Sequence, residues 1–115
     1  MNKLPQITFC IPSKSNSRYL KYSIPSIREN SFRKDHKISI FVDSDEDGTV
    51  EWLEANKDIY GIDYFVNPYL GKTLYGIGKA YDYLIEQSTT DVFMVFHADM
   101  IMAKDMDLLT YNHLG

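Results

Sequence analysis

Lys37-Ile-Ser-Ile-Phe-Val42 runs without a break into Asp43-Ser-Asp-Glu-Asp-Gly-Thr-Val-Glu-Trp-Leu-Glu54, and the reading of this join decides the fold. The acidic half fits every position of a calcium-binding EF-hand loop. It offers oxygens at Asp43, Asp45, Asp47, Thr49, Glu51 and Glu54, with Gly48 at the turn and Val50 at the apolar position. An EF-hand loop, however, is entered by a helix. Residues 38–42 have no helical face, and their β-branched and aromatic side chains predict a strand. A strand running straight into an acidic turn is what nucleotide-binding α/β proteins place at the carboxyl ends of their sheets. At this point a strand-end ligand contact, a calcium module and a plain acidic turn all remain open.

Outward from this join, strands alternate with helices. Residues 6–11, QITFCI, predict a first strand that Pro12 should end, because proline cannot donate to a ladder. Ser17 is placed to cap a helix with Leu20, Ile24 and Ile27 on one face, kinked or restarted at Pro25. After the strand at 38–42, residues 47–57 predict a helix with Val50, Leu53 and Trp52 inward, and 62–66 a third strand before the Asn67-Pro68 turn. In residues 73–87, Leu74, Ile77, Tyr81, Leu84 and Ile85 recur as one helical stripe, with Gly76 and Gly78 allowing close packing on the sheet. Residues 91–96 are nearly all apolar, which predicts a strand covered on both faces in mid-sheet, and a short helix is expected over 105–111. The order implies one α/β domain over 1–115: a mainly parallel sheet of four core strands flanked by helices.

Composition narrows the class. Twelve Lys and Arg stand against sixteen Asp and Glu, a net charge of −4 that argues against nucleic acid as the main partner. The charge is uneven: residues 1–37 hold eight basic residues and two acids, and 38–115 hold four and fourteen. The one cysteine, Cys10, lies in an apolar run and reads as core, so no internal disulfide forms and a reducing, cytoplasmic setting is expected. The apolar run at 7–11 is too short for a signal peptide or a membrane span. His36 and His113 have no partner in the pattern and are expected at the surface.

Ligands of such sheets bind beyond the carboxyl ends of the strands. Pro12-Ser13-Lys14, Asp43-Ser-Asp45 and His97-Ala-Asp99 are therefore expected to converge. Two carboxylates with a nearby imidazole suit a divalent cation, and a diphosphate is the ligand such a cation most often accompanies. His97 reads equally as a satisfied strand-end histidine or as a ligand, since it and Asp99, two positions apart, point the same way. Gly71-Lys72-Thr73 is similar to the end of a Walker A loop, but Val66 stands where its first glycine is required, so a helix-entry turn is expected.

Taken in order, these motifs resemble family 2 glycosyltransferases of the GT-A (Rossmann-like) type. ITFCIPS stands for the family's apolar strand ending in Pro-Thr or Pro-Ser, and Ser26-Ile27 for the end of its first helix. IFVDSDEDGT is similar to the strand and Asp-Asp-Gly-Ser-Thr-Asp-Gly-Thr segment, and Asn67-Pro-Tyr-Leu-Gly71 loosely matches an Asn-x-Gly segment. FMVFHAD stands where the metal-binding Asp-x-Asp motif is expected. The resemblance implies a nucleotide-diphospho-sugar donor, UDP-linked, in a pocket lined by Pro12 and Ser13, with Asp43 on the base or ribose and Asp45 beside it. It implies Asp99, joined by His97, as ligands of Mn²⁺ or Mg²⁺ on the diphosphate, and Lys72 or Lys79 near the phosphates. Inversion at the anomeric carbon is implied too. The chain departs from the family pattern in carrying His97 for the first acid of the motif. It also ends before the family's acceptor-binding half and catalytic base, so the acceptor (glycan, lipid or protein) and the base stay unassigned. A binding module without catalysis, and a homodimer through open sheet edges, are the further expectations.

Overall fold

The computed structural model describes residues 5–108. Along them run β1 (Ile7–Lys14), α1 (Ser17–Asn30), β2 (Lys37–Ser44), α2 (Thr49–Tyr60), β3 (Ile62–Val66), α3 (Ile77–Gln87) and β4 (Val92–Val95). The four strands form one parallel sheet in the order β3-β2-β1-β4, as the alternation of elements predicts. The acidic segment 43–54 begins inside the end of β2, so a strand and not a helix leads into it.

Alternation along the strands sorts the side chains into two layers. Ile7, Phe9, Ile11, Ile38, Ile40 and Val42 meet Leu20, Ile24 and Ile27 of α1 and Leu53 of α2 on one face. On the other, Cys10 and Phe41 meet Ala80 and Leu84 of α3, with Tyr75 and Tyr83 rings 5.1 and 5.5 Å from Phe41. Each such buried side chain contributes roughly 1.5–3 kcal/mol, so the α1–α2 face, with more of them, is the main stabilising layer. Burial pushes the Cys10 thiol up to about 11, as suits a core cysteine.

Four local expectations are corrected. Pro12 does not end β1. Phe96 N–H donates to the Cys10 carbonyl (3.0 Å), so even-numbered residues of β1 turn their backbone groups toward β4. The Pro12 nitrogen faces that side beyond Val95, the last paired residue, where no ladder donor is required. Ser17 does not cap α1; Asn16 holds the N-cap position without a side-chain cap, and Ser17 donates its N–H and its hydroxyl to Asp47, each at 2.9 Å. The helix then runs through Pro25.

The third correction concerns the helix expected over 73–87. It begins only at Ile77, because Gly76 takes φ +93° and leads the preceding residues into a loop, which leaves Leu74 and Ile77 exposed. A Cβ on Gly78 would meet nothing within 4 Å, so that glycine serves no close packing. Last, β4 is an edge strand of the described sheet and not a central one. Val92 and Met94 pack on the α1–α2 side, but α3 lies over β1 and β2, so Phe93 and Val95 stay exposed on the opposite face. The helix expected over 105–111 shows only residues 106–108 as helical, and the rest of it, with His113, lies outside the described residues.

Candidate functional site: a cavity at the carboxyl ends of the strands

Chain order reverses between β1 and β4, since β1, β2 and β3 step one way across the sheet and β4 lies on the other side. In an open parallel sheet this switch point leaves a crevice beyond the strand ends. A cavity of about 470 Å³ lies there, lined among others by Pro12, Ser13, Asp43, His97 and Asp99. The three strand ends expected to converge do so.

Each lining group has a distinct state. Ser13 is buried, and its hydroxyl has no hydrogen-bond partner among the described residues, which marks a polar atom that a ligand can satisfy. Asp43 shares the face of Phe41 and is also buried; its Oδ1 accepts from Asn67 Nδ2 (2.9 Å) and Tyr75 N–H (2.6 Å), and its Oδ2 from Gly76 N–H (2.9 Å). A carboxylate offers about four acceptor positions, so acceptor capacity remains on Oδ2. His97 and Asp99 are exposed at the rim on either side of buried Ala98, where Met100 N–H closes a turn on the His97 carbonyl (3.0 Å). The Tyr81 hydroxyl of α3 stands 3.4 Å from His97 Nδ1, and burial raises the Tyr81 phenol.

Lys72 lies in a second, adjoining cavity of about 370 Å³ that shares Lys14, Asp43 and Leu74 with the first. Two of the candidate nucleotide contacts line neither cavity. Lys79 sits with Nζ 5.8 Å over the Tyr75 ring. Asp45 points to the start of α2, its oxygens accepting from Thr49 N–H (2.6 Å) and Val50 N–H (3.3 Å). Periodicity misplaced Leu74 and Ile77, which line the cavity and are not core, and it assigned no role to Asn16 and Tyr19, which line it too.

The calcium reading of residues 43–54 is overturned. Asp45 is turned to α2, and Asp47 accepts from Ser17 and Thr49. Glu54 accepts from the Tyr64 hydroxyl of β3 and pairs with Lys57 of its own helix. Among the described residues no group of three or more His, Cys, Asp or Glu converges on a cation. His97 and Asp99 together make a two-donor set, which fits an ion whose other ligands are phosphate oxygens and water.

Residues 8–114 match the family described as Glycosyl transferase family 2. The chain belongs to that family. No curated protein sequence matches this family 2 chain closely. Among solved structures it is similar to TarS 1–349 of S. aureus in complex with UDP, with a TM-score of 0.80 and 14% identity over 95% of this chain and 32% of that one. The same TarS in complex with UDP-GlcNAc gives 0.80 and 13%, covering 95% and 31%. The mannosyltransferase PcManGT from Pyrobaculum calidifontis, in complex with GDP-Man and Mn²⁺, gives 0.75 and 13%, covering 90% and 30%. At such identities the likeness is one of fold, and it places the parallel sheet and its flanking helices in the GT-A class. The family 2 chain spans less than a third of the length of each of these structures. None of its described helices is long and apolar enough to cross a membrane.

Proposed function

We propose that this chain is the donor-binding part of a glycosyltransferase and holds a nucleotide-diphospho-sugar across the carboxyl edge of its sheet. The observation that carries the proposal is the cavity at the switch point, where an unpartnered buried hydroxyl (Ser13), a buried carboxylate with a free acceptor position (Asp43) and an exposed carboxylate (Asp99) face one space. Asp43 can accept only, so it selects the N–H edge of a base or a ribose hydroxyl. Pro12 and the apolar side chains of Leu74 and Ile77 offer surface to the flat face of the base. Lys14 and Lys72 place positive charge at the junction of the two cavities, within reach of a phosphate. A UDP-linked sugar is the donor we favour, in keeping with the ligands of the TarS structures.

Asp99 and His97 are the residues that would hold a divalent metal, and the imidazole favours Mn²⁺ over Mg²⁺. When bound, such an ion supplies positive charge that stabilises the departing diphosphate. With the Tyr81 hydroxyl beside His97 Nδ1, Nε2 is the ring nitrogen that would be free to hold a metal. Titration calorimetry with UDP, with and without Mn²⁺, tests the assignment. Asp99→Ala is expected to lose the gain in affinity that Mn²⁺ brings, and Asp43→Ala to weaken UDP about tenfold even without metal. Equal UDP affinity in wild type and both variants would remove the site assignment.

A further inference from the structure

Asn67 follows the last residue of β3 and is buried, with every polar atom engaged. Its N–H extends the β2–β3 ladder to the Val42 carbonyl (2.9 Å), and its carbonyl accepts from Leu70 N–H (3.0 Å). The side chain divides its roles. Nδ2 donates to Asp43 Oδ1 (2.9 Å) and to the Thr73 carbonyl (2.7 Å), while Oδ1 accepts from Tyr69 N–H (2.9 Å). The connection from β3 to α3 is thus tied at its start by Tyr69, at Thr73, and at its end by Tyr75 and Gly76 on Asp43.

We infer that Asn67 is the positioning residue of the nucleotide site, fixing the Asp43 carboxylate and folding residues 67–76 into the wall of the cavity. The inference rests on the nucleotide-binding reading above. The chemistry explains why asparagine stands here. The position needs two donors on one side, for a carboxylate and a carbonyl, and an acceptor on the other, for an amide N–H; a carboxamide is the side-chain group that supplies both. An aspartate would set a second carboxylate against Asp43, and alanine would leave Oδ1 of Asp43 and the Thr73 carbonyl without this donor. Asn67 itself lines neither cavity, so its effect on the site passes through Asp43, whose carboxylate in turn holds the N–H groups of Tyr75 and Gly76.

A double-mutant cycle on UDP affinity, measured by calorimetry on the whole chain, tests this. Asn67→Ala is expected to weaken UDP about tenfold, alike with and without Mn²⁺, because Asn67 acts on Asp43 and not on the metal ligands. In the Asp43→Ala background the same change is expected to matter less than about twofold, a coupling that a merely structural asparagine would not show. Should the alanine variant not fold, Asn67→Ser replaces it with the same expectations, since the shorter hydroxyl can still accept from Tyr69 N–H but cannot reach Asp43. If wild type binds UDP and the Asn67 variant binds it equally, or if the two losses simply add, this inference falls and the nucleotide reading stands. A wild-type chain that does not bind UDP overturns both.

Discussion

Asp43, Asp45 and Asp47 lie within five residues where β2 ends, yet each has a different task. Asp43 faces the cavity and the loop before α3. Asp45 caps α2, accepting from the first two N–H groups of that helix. Asp47 holds the start of α1, thirty residues back, through both polar groups of Ser17. Burial alone would raise the Asp47 carboxyl, but hydrogen bonds from Thr49 and Ser17 outweigh it and hold the group below its ordinary value. Two of the three acids thus serve helix N-termini, where negative charge is stabilising. Asp45→Ala is therefore expected to cost about 1 kcal/mol of stability in urea denaturation and to leave UDP affinity within about twofold of wild type. A tenfold loss of UDP affinity would return Asp45 to the nucleotide contacts. The sequence shows that acids cluster after β2; it does not show which way each one turns, because that depends on which helix ends lie near.

Among the elements, the segment entering α3 departs most from the pattern. Leu74 and Ile77 keep the helical spacing, and on periodicity alone they belong to the buried stripe. Two contacts override that spacing: Asp43 takes the N–H groups of Tyr75 and Gly76, and Gly76 adopts φ +93°, ψ 150°. That backbone region is open essentially to glycine alone, and forcing another residue into it costs about 1–3 kcal/mol. Gly76→Ala is expected to lower stability by that amount in urea denaturation and to weaken UDP as well, although a Cβ there would clash with nothing. Unchanged stability would mean that the loop relaxes freely. Elements whose environment is simple were legible: β2, β3 and the body of α3 lie where β-branched runs and apolar spacing put them, and β1 starts there but runs on through Pro12. The apolar run of β4 signalled a strand, but its position at the sheet edge did not follow from its composition, since that depends on which strands lie beside it.

At the scale of the whole molecule, a second polar knot closes the end of the sheet opposite the cavity. His36, expected at the surface, is buried; its Nδ1 accepts from Ile7 N–H (2.9 Å) and its Nε2 lies 2.8 Å from Asp107 Oδ2. Asp107 also accepts from the N–H groups of Phe32 and Arg33 (2.8 and 3.0 Å), so one pair joins β1, the loop after α1 and the segment after β4. With Nδ1 accepting, the ring is the neutral tautomer that donates from Nε2 to the carboxylate. Burial lowers the His36 pKa, outweighing the attraction of Asp107. The folded state therefore binds this proton less readily than the unfolded chain. The contribution to stability is complete above the unfolded value of about 6.5 and is lost as pH falls through the lower folded value. The urea midpoint is expected to drop between about pH 7 and pH 5, and His36→Asn, which has no group titrating there, to flatten that slope. An unchanged slope in the variant would place the pH dependence elsewhere.

The sequence by itself determined the α/β class, the alternation of strands and helices, and the strand ends that meet at the cavity, because those signals sit in the local spacing and type of side chains. The tertiary structure alone decided that Asp43 meets Gly76 across 33 positions, that His36 meets Asp107 across 71, and that Leu74 and Ile77 line a cavity. It also decided that the acidic run turns Asp45 and Asp47 to the starts of two helices and Asp43 to a cavity. The reason is physical: a hydrogen bond between distant residues is set by where the sheet brings the backbone, and no local pattern records that distance.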